Sequence, residues 1–146
     1  MAVTAHVFPQ FAQLAMSKSD NWSSDTLMVA LSDVTGPVTL STSGVQAAKT
    51  WSDWKMNVAA EITGTGYTAG GVALTGVSLA TSGDVATLSC SNPSWTGATF
   101  TANQAVFYDS VTGDLVAFWD FGGAVSVTSG TFTLDTAAGI VTATAS

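Results

Sequence analysis

Few side chains in this sequence are suited to nucleophilic or metal chemistry. The chain has one histidine, His6, and one cysteine, Cys90. A catalytic triad would have to use His6, which precedes the first predicted element, and a surface or interface role is the stronger interpretation. Cys90 falls on the inward face of a predicted strand, where a small buried hydrophobe is more common than a reactive thiolate. These two residues are also too few for a structural zinc site, so we expect no metal and no cofactor.

Paired carboxylates are the remaining route to catalysis. Asp109, Asp114 and Asp120 lie close together in sequence, across a predicted hairpin. A glycosidase needs two carboxyl groups about 5 to 9.5 Å apart, one of them held protonated by burial, and nothing in the sequence indicates that arrangement. Aspartates are common in turns because they bond their own backbone, and this spacing matches no known Ca²⁺ loop. We therefore predict that Asp109 and Asp114 form a turn and that the protein is not an enzyme.

A glycine-rich segment, residues 64–71, has some likeness to phosphate-binding loops. Such loops end in Gly-Lys-Ser/Thr, or they follow a strand and open a helix, because backbone N–H groups must point at the phosphate. Here no lysine follows, and the next residues are β-branched. We predict that the glycines instead allow positive φ angles and close packing against neighbouring chain.

Tryptophan is the last residue type that suggests binding. An exposed row of indoles on a β-sandwich can stack on sugar rings, but in a small domain such side chains more often complete the core or an interface. A carbohydrate- or receptor-binding module therefore stays an alternative to a protein that binds other proteins. The five tryptophans are Trp22, Trp51, Trp54, Trp95 and Trp119.

Composition excludes two classes of partner. The 146 residues are 47% hydrophobic and only 9% charged, and three lysines with no arginine stand against ten acidic residues, for a net charge of −7. With no basic surface to neutralise phosphates, we exclude nucleic acid. The strongest apolar run, residues 115–119, is far shorter than the roughly 18 residues of a membrane span, so we expect no membrane partner. The first basic residue follows the N-terminal apolar stretch, and a signal peptide is not expected either.

The pattern of apolar residues predicts a single all-β domain with a short N-terminal helix. Phe8, Phe11, Ala12 and Ala15 recur at helical spacing, so residues 1–24 are expected to form a helical segment and linker. Beyond residue 24, short runs rich in Val, Thr and Phe alternate with turn residues, which is typical of an antiparallel β-sandwich or partly open barrel. The predicted strands are 26–31, 38–42, 71–74, 77–81, 85–91, 98–102, 105–108, 115–121, 131–134 and 140–144.

Two loops and one irregular segment complete this prediction. Residues 82–84 and 109–114 separate strand runs at hairpin length. Trp51 and Trp54 follow helical spacing but run into the glycine-rich segment, so we predict a helical turn or ordered loop that lays two indoles against the sheet.

Five segments, in order along the chain, carry a resemblance. Residues 25–31 read DTLMVAL, 57–71 NVAAEITGTGYTAGG, 99–109 TFTANQAVFYD, 115–122 LVAFWDFG, and 130–140 GTFTLDTAAGI. They resemble the blocks DTIKVAL, NEVTGTGYTAGG, TFTARYAVVYD, LIAYVDFG and GTFTIxWDAAGI of a family of small virion proteins of tailed bacteriophages, the minor capsid or head decoration proteins. The likeness covers nearly the whole chain, although the arginine before YAVVYD has no counterpart here.

This resemblance implies a structural protein of the virion. A decoration protein adds contacts between capsid subunits, so the implied partner is the major capsid protein and the implied location is the outer surface of the capsid. A homo-oligomer is expected, by preference a trimer, because a three-fold ring matches local lattice symmetry. Large apolar side chains outside the regular strands are expected to make the contacts: Phe8, Phe11, Leu14, Trp51, Trp54 and Tyr67.

Two alternatives stay open within a phage particle. One is a carbohydrate- or receptor-binding module of the head or of a tail fibre, which predicts exposed, coplanar indoles beside Asp or Asn side chains. The other is a tail-tube or tail-completion protein, which shares the β-rich composition and predicts hexameric rings.

Overall fold

The fold is all-β, as predicted, and consists of two antiparallel sheets. The structure is a computed structural model that describes residues 4–7 (backbone only), 24–33, 50–52 and 61–144. Five strands form one sheet in the order β1-β7-β6-β2-β3, and three form the other in the order β4-β5-β8. The strands are β1 (Thr4–Val7), β2 (Leu27–Ser32), β3 (Val72–Ala73), β4 (Ser78–Ser82), β5 (Val85–Ser89), β6 (Ser94–Asp109), β7 (Leu115–Thr133) and β8 (Val141–Thr144).

The N-terminal region differs in part from the prediction. Residues 4–7, expected to belong to a helical segment and linker, form β1, which pairs with β7 from Ala117 to Asp120. The predicted helix around Phe8–Ala15 and the predicted strand 38–42 lie outside the described residues. Within the described part of the chain, helical backbone is confined to Trp51 and Ser52, and no helix there is long and apolar enough to cross a membrane.

The centre of the larger sheet is a long, curled hairpin made of β6 and β7. The sequence pattern predicted four short strands in this region. The structure has two long strands, which pair along most of their length with several register shifts. Phe121 and Phe132 lie eleven residues apart on β7, yet their ring centroids are 6.1 Å apart. A straight strand would separate them by roughly 36 Å. β7 therefore bends back on itself, through Gly122 (φ 74°) and Ser129 (φ 49°).

Both predicted hairpin loops are confirmed. Gly83 and Asp84 connect β4 and β5, since Ser82 pairs with Val85. Gly83 has φ +57°, as the first position of a tight hairpin turn requires. The second loop, residues 110–114, joins β6 to β7.

One apolar core serves both sheets. Leu88 of β5 and Val141 of β8 belong to the same buried cluster as Val29, Phe107 and Trp119 of the larger sheet. β4 is exposed along its whole length, so the smaller sheet contributes to the core through β5, β8 and the turn before β8.

Candidate interaction surfaces

The glycine-rich segment is a packing element along the edge of β2. The N–H of Ile62 donates to the carbonyl of Leu31, and the N–H of Leu74 to that of Leu27. Between these points the segment leaves β2 and reaches β6, where the N–H of Thr99 donates to the carbonyl of Thr65 at 2.9 Å. β2 ends opposite residue 104 of β6, so the glycine-rich segment takes the position beside β6 that a longer β2 would fill.

Two glycines make this close approach possible. A Cβ on Gly66 (φ +78°) would lie 3.0 Å from the Cα of Ala98. A Cβ on Gly71 (φ +81°) would overlap the main chain of Val29 and Ala30 in β2. The prediction that these glycines serve positive φ and tight packing is confirmed.

Tyr67, a predicted interface residue, lies half-buried inside this segment. Its hydroxyl donates to Glu61 Oε1 at 2.8 Å and accepts the Leu31 N–H at 3.0 Å. The N–H of Gly70 donates to the same Glu61 oxygen. Burial, together with the Glu61 carboxylate, raises the pKa of Tyr67, so the phenol stays protonated and acts as a cross-link between the segment and β2. Its role at an interface stays a prediction.

Trp51, the second predicted interface residue in the described part, is 8% exposed. Its ring stacks on that of Tyr108, with centroids 4.9 Å apart and an interplanar angle of 6°. The main-chain N–H of Trp51 donates to the carbonyl of Gly113 at 2.8 Å. The Tyr108 hydroxyl donates to the carbonyl of Gly70 at 2.7 Å. The indole therefore lies against the sheet, as expected for the first of the two tryptophans.

The remaining predicted interface residues lie outside the described residues: Phe8, Phe11, Leu14 and Trp54. Trp95 and Trp119, like Trp51, are buried, at 3% and 7% exposed. Three of the five indoles are therefore buried and do not form an exposed row on which sugar rings can stack.

The carboxylates of Asp109 and Asp120 accept hydrogen bonds from main-chain N–H groups two or three residues further on. Asp109 is fully buried, and its Oδ1 accepts the N–H of Val111 at 2.7 Å and that of Thr112 at 3.4 Å. Asp120 Oδ1 accepts the Gly122 N–H at 2.8 Å. Burial raises the pKa of Asp109, the two N–H donors partly oppose this, and the neighbouring Asp25 carboxyl adds to the rise. The predicted turn role of Asp109 is confirmed.

Of the two candidate nucleophile residues, Cys90 has described side-chain contacts. The Cys90 thiol contacts Thr136 Oγ1 at 3.4 Å, and burial raises the pKa of that thiol, which disfavours the reactive thiolate. Thr136 is fully buried and its hydroxyl donates to the carbonyl of Cys90. His6 lies in β1, in register with Phe118 of β7.

A cleft of about 550 Å³ along β7 was not predicted from the sequence. Every residue that lines it belongs to β7 or to the turn that follows, so the curl of one strand forms it. The alternation of apolar residues at 119, 121, 125 and 127 was a visible signal, but the paired glycines at 122 and 123 suggested an end to the strand. The lining residues are Trp119, Phe121, Val125, Ser126, Val127, Thr131, Phe132, Thr133, Leu134, Asp135, Ala138 and Gly139.

The described residues were compared with metal-binding arrangements, and the chain with known proteins. Among residues 24–33, 50–52 and 61–144, no three His, Cys, Asp or Glu side chains are grouped so that they could hold a metal ion. What the described surface offers is an apolar cleft, open strand edges and acidic side chains. Comparison of the chain with protein-family models, with curated proteins and with solved structures found no match.

Proposed function

We propose that this protein is a structural component of a tailed-phage virion that binds the outer surface of the capsid through protein contacts and has no catalytic role. The observation that carries the proposal is the packing role of the GTGYTAGG segment, residues 64–71, in the fold. It is the block most like the decoration-protein family, and its glycines are accounted for by packing against β2 and β6. The resemblance therefore lies in residues that build the fold, and no ligand is needed to explain them.

The net charge supports an outer position on the capsid. The chain has three lysines and no arginine against ten acidic side chains, for a net charge of −7. An acidic body repels packaged DNA and is compatible with the solvent-facing side of a shell. Leu79 and Val111, which are 65% and 69% exposed, add apolar surface for protein contacts.

The proposed architecture is a β-sandwich or partly open barrel with a short N-terminal helix. The shared core of the two sheets and the curl of the β6–β7 hairpin support the sandwich or barrel, since curled sheets close around one core. We propose a trimer that contacts the major capsid protein, because a three-fold ring matches capsid symmetry.

The experiment is a fractionation of phage particles whose genome carries this gene. Heads and tails are separated and the protein is quantified in each by mass spectrometry, followed by reconstruction of the head. We expect the protein in the head fraction, at a copy number tied to the capsid lattice. Recovery only with tails, or absence from particles, would overturn the proposal.

A further inference from the structure

In the part of the chain that the structure describes, β7 has an open edge beyond the point where β1 ends. β1 pairs with β7 only from Ala117 to Asp120, and β7 continues to Thr133. Over residues 121–133, the described part of the chain places β6 on one side of β7 and no strand on the other. An open strand edge presents unpaired N–H and C=O groups and is a ready template for another strand.

The apolar cleft lies along this open edge. Its lining includes Val125 and Val127, whose side chains leave one face of β7, and Ser126, whose side chain leaves the other. These three consecutive residues belong to the part of β7 beyond β1, and no residue of the paired strand β6 is among those that line the cleft. Trp119, Phe121 and Phe132 make its inner surface aromatic. A strand added to the edge would therefore direct alternate side chains into an apolar site.

The charge of the site restricts what can occupy it. Asp135 lines the cleft, and its Oδ1 accepts the Ala137 N–H at 3.1 Å, which holds the carboxylate at the rim. The chain as a whole carries a net charge of −7. A second copy would bring another acidic body to the same place, and like charges oppose that contact.

We propose that the open edge of β7 and the adjoining cleft bind an extended segment of a partner protein as an added antiparallel strand. Alternate side chains of this segment are aliphatic or aromatic and enter the cleft, and lysine or arginine lies between them. β1 is a precedent within the fold, because it already occupies the same edge in antiparallel register with residues 117–120. This mode of recognition obtains affinity from main-chain hydrogen bonds and specificity from pockets for alternate side chains. The proposal deepens the proposed function, on which it rests, by naming the kind of segment bound.

The first test uses labelled peptides and the full chain. A nine-residue peptide of alternating valine and lysine is compared by fluorescence anisotropy with the same peptide carrying glutamate in place of lysine. We expect the lysine peptide to bind about fivefold more tightly, because one exposed ion pair with Asp135 replaces a like-charge contact. Chemical-shift changes in an NMR titration should concentrate on residues 119–139. Equal binding of the two peptides, or shifts elsewhere, would contradict the proposal.

A second test separates strand addition from simple insertion of apolar side chains. Two further lysine peptides carry N-methyl groups on either the odd or the even residues. Only one edge of an added strand faces β7, so one peptide should lose binding and the other should keep it. Loss in both, or in neither, would refute strand addition.

Matched variants locate the charge effect. Asp135→Asn removes the carboxylate at the cleft, and Asp84→Asn removes one in the β4–β5 turn, away from the residues that line the cleft. We expect Asp135→Asn to weaken the lysine peptide two- to threefold, about the worth of one exposed ion pair, while Asp84→Asn leaves it unchanged. Equal effects would mean that only net charge matters and would overturn the assigned position. If the peptides fail while the protein is still found on phage heads, this inference is wrong and the proposed function stands.

Discussion

The packing of the glycine-rich segment can be tested by substituting Gly71 with alanine. At φ +81°, an added Cβ would lie 2.6 Å from the carbonyl carbon of Val29 and 2.7 Å from the Cα of Ala30. Both are main-chain atoms of a buried strand, so neither can turn away as a flexible side chain would. Gly83→Ala is the matched control, because Gly83 has φ +57° and nothing within 4 Å of the added Cβ.

The two variants share one cost and differ in another. Placing alanine in the left-handed region costs about 1–2 kcal/mol at either site. At Gly71 the overlap with β2 adds about 1–3 kcal/mol, the usual cost of overpacking. We therefore expect Gly83→Ala to lose about 1–2 kcal/mol of unfolding free energy and Gly71→Ala about 2–5 kcal/mol.

Urea unfolding followed by tryptophan fluorescence measures the difference. Thermal unfolding gives a second measure, since about 1 kcal/mol corresponds to roughly 3 °C in a domain of this size. Gly71→Ala should melt about 6 °C below Gly83→Ala. If both variants lose the same stability, backbone strain alone explains the glycines, and the argument that the segment packs against β2 is refuted.

Three further outcomes are expected. Tyr67→Phe should lose about 1–3 kcal/mol of unfolding free energy, because the buried Leu31 N–H loses its acceptor. Tyr108→Phe removes a hydroxyl that donates to a carbonyl, and it should lose less in the same urea experiment. The reverse order would contradict the cross-linking role of Tyr67. Because the pKa of Asp109 is raised in the folded protein, the folded state binds a proton more readily, and stability falls as pH rises above the ordinary carboxyl value of 3.8. Asp109→Asn should therefore gain stability relative to wild type as pH rises from 3.8 to 7, and a gap that stays constant in urea unfolding at several pH values would count against this. Trp54→Ala should reduce occupancy on purified capsids without lowering the melting temperature. Trp51→Ala should lower the melting temperature, because the ring stacked on Tyr108 is lost. Full capsid occupancy by Trp54→Ala would argue against a contact between Trp54 and the capsid.

Local features of the fold could be predicted because neighbouring residues determine them. The Gly83 turn needs a residue that tolerates positive φ between two strand runs, and that requirement is visible in the sequence. The role of Asp109 follows in the same way, since its carboxylate bonds amides two and three residues further on. The positive φ of the GTGYTAGG glycines was likewise readable from residue type, although the strands that they approach were not.

The tertiary structure decided where distant residues meet. The predicted strand 115–121 stops before Gly122 and Gly123, yet β7 continues past them as a bend. Its pairing with β6 shifts register there and resumes at Val125, opposite Ala102. That curl brings residues 119–121 to residues 131–135 and forms the cleft. Tyr67 illustrates the same limit: its residue type was compatible with an exposed contact, and only the positions of Glu61 and Leu31, six and thirty-six residues away, make it a cross-link. Residue types and short spacings therefore determined the turns and the high β-strand content of this protein, whereas the cleft along β7 depends on contacts between residues far apart in sequence.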